Sequence, residues 1–269
     1  MFSTYLHFMW RSLRYPASCP TDTGLWRRFL LKARVHDLVS TLLQLRDMRR
    51  MQAISGESAP STIAGDESRR VVGETIRHNL GQLRRKLVSS TRRVETYYQV
   101  LTTPWRDLSR ERLLVIGGRN FHELWVAKLY GYSWENIEAI DLFATNPKIR
   151  VMNMEALEYA DESFDAITMV NTLGYAVDPL ATIAGIARIL RPGGRFVFNH
   201  VYDPGADTFG KADRVSGAAV REALKRAGLR VYFYMPVDKT NAHGRRQTNH
   251  LFGVCKNDPA RNPLDQLDI

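Results

Sequence analysis

Cysteine is scarce in this chain of 269 residues: Cys19 and Cys255 stand far apart and in unlike contexts. Two isolated thiols supply neither a disulfide framework nor a metal site, so no metal is expected, and they suit a reducing compartment. No apolar run is long enough to span a bilayer as a helix. Met1 to Trp10 lacks a basic segment ahead of its apolar stretch, and Arg11 and Arg14 cut that stretch short, which argues against a standard secretory signal. Cytoplasmic residence is therefore expected. Aromatics beside arginines would also suit peripheral membrane contact, but a docked or frayed N-terminal helix is favoured. The G-x-G-x-x-G spacing is missing too, which argues against a nicotinamide or flavin site. No internal repeat is visible.

What is present is globular composition, 44% hydrophobic and 25% charged, enough to bury a sizeable core. The formal charge of +10 is unevenly placed. Residues 1–110 hold 19 basic and 9 acidic side chains, and the remainder holds 19 of each. This step predicts a basic helical region over 1–110, a folded domain over 111–258 and a tail over 259–269. Within the first region, Trp26, Phe29, Leu30, Val35, Leu38, Leu42, Leu45 and Met48 recur at helical steps across Leu25–Met51. Residues 52–68 are rich in Ser, Gly, Ala and Pro and read as a loop. Val72, Ile76, Leu80, Leu83 and Leu87 predict a second amphipathic helix, with Arg84, Arg85, Lys86, Arg92 and Arg93 on its basic face. That face reads as solvated, or as cover for a protein partner or a second copy. Nucleic acid is the less favoured partner, because no recognised motif accompanies the charge. Tyr97 and Tyr98 are expected to pack where this region meets the next.

From Leu113 onward, strand and helix patterns alternate, which predicts a doubly wound α/β sheet that is mostly parallel. Expected strands are Leu113–Ile116, Ile137–Ile140, Ile149–Met152, Phe164–Val170 and Arg195–Phe198, then a pair over Val231–Tyr234 and His250–Cys255. Expected helices are Phe121–Tyr130, Pro179–Leu190 and Ser216–Ala227, the last ending at Gly228.

In such sheets ligands bind beyond the carboxyl ends of the strands. The residues following each strand therefore nominate the site. Strand one is followed by Gly117, Gly118, Arg119 and Asn120, where paired glycines let a ligand approach the backbone. Strand two is followed by Asp141, Leu142 and Phe143, and a carboxylate there can accept hydrogen bonds from two hydroxyls. Asn153, Met154 and Glu155 follow strand three, and Asn171, Leu173 and Tyr175 follow strand four. Asn199, His200, Tyr202 and Asp203 follow strand five.

Taken together, Val115-Ile116-Gly117-Gly118-Arg119-Asn120, Asp141, Asp161-Glu162-Ser163-Phe164-Asp165 and Ala187-Arg188-Ile189-Leu190-Arg191-Pro192-Gly193-Gly194 make the segment from Arg112 to Phe198 resemble a class I S-adenosylmethionine-dependent methyltransferase. The nearest flavour is a bacterial subgroup whose first motif reads glycine, small residue, arginine, asparagine, and which is linked to methylation of sugars and small molecules. The resemblance implies a seven-stranded Rossmann-like methyltransferase sheet with an antiparallel last strand, and S-adenosyl-L-methionine as cofactor. It implies that the Gly117–Gly118 turn faces the methionine part, that Asp141 holds the ribose hydroxyls, and that Arg119, Asn120 and Leu142 also bind the cofactor. Asn153 and Met154 would flank the adenine, and Asn171 would lie near the methionine part or the acceptor. The chain departs from the pattern in three places. Val115 stands where many relatives carry an acidic residue, Gly174-Tyr175 where they read Glu-His, and Asn153 where aspartate is common.

Methyl transfer from a sulfonium depends largely on positioning, worth up to about 7–11 kcal/mol. An alcohol acceptor gains a further ~10²–10⁴-fold from a general base. His200 and Asp203 are the candidate bases, Tyr175 is an orienting group, and His243 is a weaker candidate. O-methylation of a sugar or other small metabolite is the expected activity. Two alternatives stand beside it: a non-catalytic scaffold with the same fold, and a nucleic-acid methyltransferase gripping its substrate with the basic arm.

Overall fold

The computed structural model describes residues 66–85, 92–102, 107–118, 121–144, 146–203, 215–240 and 244–258. The expected helix over Leu25–Met51, most of the 52–68 loop, Arg119, Asn120, His243 and the 259–269 tail lie outside the described residues.

Two helices precede the sheet, α1 (Asp66–Arg85) and α2 (Arg92–Thr102). The helical pattern starting at Val72 predicts α1 but starts it late. The helix begins inside the segment expected as loop, at an Asp-Glu pair that favours a helix start. Its buried face also differs from the apolar stripe. Val71, Val72, Thr75 and Asn79 are buried, whereas Ile76 is only half-buried.

A seven-stranded sheet follows, in the order β3-β2-β1-β4-β5-β7-β6. Its strands are β1 (Leu113–Ile116), β2 (Ile137–Asp141), β3 (Ile149–Val151), β4 (Phe164–Met169), β5 (Leu190–Tyr202), β6 (Leu229–Thr240) and β7 (Arg246–Lys256). The first five pair in parallel. β7 pairs antiparallel with both β5 and β6. Helices α3 (Phe121–Tyr130), α4 (Pro179–Ile189) and α5 (Gly217–Arg226) make the connections. Local chemistry sets their ends. Asp178 caps α4 by accepting from Leu180 N at 3.0 Å and Ala181 N at 2.9 Å, with Pro179 as the first helical residue. Gly228, at φ +70°, follows α5 in the left-handed conformation expected of it.

Side-chain alternation along β1 divides the core. Leu114 and Ile116 face one cluster with Ile183, Ile186, Val220 and Leu224 from α4 and α5. Leu113 and Val115 face the other, with Tyr97, Tyr98 and Leu101 of α2 and Leu124 and Ala127 of α3. Tyr98 stacks on Tyr130 with ring centroids 5.5 Å apart, so the tyrosine pair packs where the sequence predicts. The charge step near residue 110 is thus not a gap in packing, because α2 is part of the sheet's cover. Beneath it Arg195, 1% exposed, pairs with the Glu111 carboxylate and donates to Leu101 O at 2.8 Å.

Strand limits differ from expectation mainly in the second half of the sheet. β5 runs from Leu190 to Tyr202, much longer than Arg195–Phe198. Its extension exists because β7 supplies a hydrogen-bonding partner as far as Tyr202, opposite Thr248. Asn199, His200 and Tyr202 therefore lie inside the strand rather than after it. Asp141 likewise is the last residue of β2, pairing with Val151.

Candidate functional site

The strand order reverses between β1 and β4, and the carboxyl ends of β1 to β4 open into a cleft. Ile116 and Gly117 from β1, Asp141 and Leu142 from β2, Asn153, Met154 and Glu155 after β3, and Thr172 and Tyr175 after β4 line it. Val72, Thr75 and Asn79 of α1 close the side away from the sheet.

The paired glycines play different parts. Gly117 sits at φ +77°, its N–H donates to Ile140 O at 2.8 Å, and a methyl group there would collide with Thr172 Oγ1. Only glycine lets the β1 turn and the β4 turn approach so closely. Gly118 packs inward, where an added Cβ would lie 3.0 Å from Val115 Cγ1 and 3.2 Å from Ala139 Cβ.

Asp141 is 7% exposed, and its Oδ1 accepts from Leu142 N at 2.7 Å. Its carbonyl accepts from Met152 N at 3.0 Å, which ties the end of β2 to the turn after β3. In that turn Asn153 Oδ1 accepts from Glu155 N at 3.1 Å. Glu155 Oε1 in turn accepts from Asp178 N at 2.8 Å, linking the turn to the start of α4. Asp141 and Glu155 are the charged residues among the described lining, which contains no lysine or arginine. The field in the cleft therefore favours a cationic or hydroxyl-rich ligand over an anion.

Asn171 holds the β4 turn at φ +49°, a conformation costly for most side chains. It is braced by its neighbours in the sheet. Asn171 N donates to Asn199 Oδ1 at 2.7 Å, while Asn199 Nδ2 donates to Asn171 Oδ1 at 2.9 Å and to Asn249 Oδ1 at 2.8 Å. Asn171 thus shapes the turn that carries Thr172 and Tyr175, without itself lining the cleft.

His200 and Asp203 do not join this group. His200 is fully buried within β5 opposite His250, and its Nε2–H donates to Val215 O at 2.5 Å. Burial pulls the pKa of His200 down, with the Val215 bond opposing and His250 adding to the depression. Burial and then Arg221 depress His250 as well. Asp203 is 4% exposed, with Arg245 Nε 3.8 Å from its Oδ2. The cleft instead gathers Gly117, Asp141, Leu142, Asn153, Met154, Glu155 and Tyr175 from the residues nominated by sequence. Sequence reasoning missed Thr75, Asn79 and Thr172. The polar interruptions at 75 and 79 beside an apolar helical stripe were the signal for the first two. His78, with its ring centroid 6.2 Å from that of Tyr175, also belongs to this mouth. Among the described residues no His, Cys, Asp and Glu cluster could hold a metal ion, and no helix is long and apolar enough to cross a membrane.

Comparison with known proteins agrees with the architecture. Residues 125–198 match the family model described as a methyltransferase domain. No curated protein sequence matches the chain significantly. Geranyl diphosphate C-methyltransferase from Streptomyces coelicolor A3(2) superposes with a TM-score of 0.50 at 15% identity, over 64% of this chain and 77% of that one. An S-adenosylmethionine-dependent methyltransferase from Mesorhizobium loti gives 0.46 at 16% identity, over 61% of this chain and all (100%) of that one. Phosphoethanolamine N-methyltransferase 2 from Haemonchus contortus gives 0.47 at 12%, over 61% of this chain and 53% of that one. The strand order, the antiparallel β7 and the match over 125–198 together give this chain the α/β methyltransferase fold.

Proposed function

We propose that this chain is an S-adenosylmethionine-dependent methyltransferase acting on a small-molecule acceptor, with a hydroxyl of a sugar or similar metabolite as the leading candidate. One observation carries the reading: the buried Asp141 carboxylate, the Asn153–Met154 turn and the Gly117 turn line a single cleft at the strand-order reversal. The residues fit that cofactor. Asp141 would hold the ribose diol, Asn153 and Met154 would flank the purine, and the Gly117 turn would present its backbone to the thioether end. The acidic lining suits a ligand bearing a sulfonium and an ammonium. When bound, the cofactor supplies an activated methyl group open to in-line displacement.

The chain's own part is then orientation and exclusion of water, the larger share of such catalysis. Tyr175, at the mouth against His78, orients the acceptor. His200 and Asp203 enter the proposal as sheet-positioned groups rather than proton acceptors, since neither lines the cleft. Calorimetry with S-adenosylmethionine and S-adenosylhomocysteine tests the reading, followed by an acceptor screen beginning with sugars. Binding of both with micromolar dissociation constants is expected. A protein that binds neither is the non-catalytic scaffold instead.

A further inference from the structure

The underside of α1 is chemically unusual. Thr75 is 3% exposed and Asn79 5%, they stand one helical turn apart, and both line the cleft. Thr75 Oγ1 and Asn79 Oδ1 are buried with no hydrogen-bond partner among the described residues. Leaving two such oxygens dry costs about 1–3 kcal/mol each, so nothing in the free protein's stability accounts for them. Val71 and Val72 on the same face belong to neither core cluster, so α1 turns this face to the cleft rather than to the main core.

We infer that Thr75 and Asn79 form a receptor for the amino-acid end of the cofactor, accepting hydrogen bonds from its ammonium group. This rests on the cofactor reading given above. Location supports it. His78, next to Asn79, meets Tyr175 beyond β4, whereas Asn153 and Met154 follow β3. In the order β3-β2-β1-β4 those ends lie three strand spacings apart, about 14 Å. Asn79 is therefore at the far end of the cleft from the purine-flanking residues. Chemistry supports it too. An amide oxygen accepts and cannot donate, a sulfonium has no hydrogen to give, and the described charges of the lining are carboxylates. With the ribose hydroxyls assigned to Asp141 and the purine to the far end, the ammonium is the remaining donor of such a ligand able to satisfy both oxygens. Loading the cleft would also tie α1 to the sheet, making the helix a ligand-ordered cover.

The test uses the full chain and the near-isosteric variants Thr75→Val and Asn79→Leu. Two probes are compared by calorimetry: S-adenosylhomocysteine, and 5′-methylthioadenosine, which lacks the amino-acid end. Each variant is expected to bind S-adenosylhomocysteine about 10-fold more weakly and 5′-methylthioadenosine within about twofold of wild type. The thermal midpoint of the unliganded variants should rise by about 2–4 °C, because an unpaired buried polar atom has gone. Opposite signs for affinity and stability set a ligand contact apart from a structural one. Unchanged S-adenosylhomocysteine affinity, or an equal loss for both probes, overturns this inference alone. A wild-type protein that binds neither probe refutes the cofactor reading and takes the inference with it.

Discussion

Replacing Gly117 by alanine puts a methyl group where Thr172 leaves no space, and its cost separates into two parts. Holding an L residue at φ +77° costs about 1–2 kcal/mol. Forcing the new methyl against Thr172 Oγ1, with Thr172 Cγ2 at 2.8 Å, is overpacking worth about 1–3 kcal/mol. Gly117→Ala should therefore destabilise the protein by about 2–5 kcal/mol. Thr172→Ala alone gives up the hydroxyl's 3.0 Å bond to Val170 O, about 0.5–1.5 kcal/mol. In the double variant the clash with Oγ1 and Cγ2 disappears, while the 3.0 Å approach to the Cβ at position 172 and the backbone part remain. The two costs should then fall short of additivity by about 1–3 kcal/mol. Urea titrations of the four proteins measure this, provided their m-values agree. S-adenosylhomocysteine affinity should fall in Gly117→Ala, since Gly117 and the Thr172 side chain that its methyl displaces both line the cleft. Strict additivity, or a single variant within about 0.5 kcal/mol of wild type, would refute the packing argument.

Asp141→Asn keeps the side chain's shape but removes its charge, and S-adenosylhomocysteine affinity should drop about 10–100-fold with the fold intact. Unchanged calorimetric affinity would end the ribose assignment. Glu111→Ala strands the Arg195 guanidinium in the core and should cost about 3–5 kcal/mol in urea titrations; a loss below about 1 kcal/mol would mean that water or another group replaces the carboxylate. His200 and His250 are both held below their ordinary pKa, so the unfolded chain takes up protons before the folded one does. Stability should be level above about pH 6.5 and decline as pH falls below it, until the folded-state histidines themselves protonate. Urea midpoints across that range should show a shallower decline in His200→Gln, with cofactor affinity retained; an identical slope would remove His200 as a source.

Much of this was legible in the sequence because strand ends and turns are local. Gly117 needs its positive φ, Asp178-Pro179 caps a helix wherever it falls, and β1's apolar run is buried on both faces. The misplacements came from partners distant in the chain. His200 reads as a residue beyond a strand until β7 is known to pair with it, since neither side of the extension carries a strong local signal. Thr75 and Asn79 carry only a faint local mark, two polar residues beside an apolar stripe. Their burial follows only from the docking of α1 across the strand ends. Arg195 heads a predicted strand, and nothing near it announces Glu111 as its buried partner.

The place of β7 has a consequence for how the molecule is made. It follows every other described strand in the chain, yet it lies inside the sheet between β5 and β6. β6 is thus synthesised with no neighbour to pair with until Arg246–Lys256 has left the ribosome. The delay reaches the cleft, because Asn249 of β7 steadies Asn199, which in turn fixes Asn171 and the turn bearing Tyr175. A nascent chain can assemble the Gly117–Asp141 half early. The half bearing Thr172 and Tyr175 waits for the strand that arrives last.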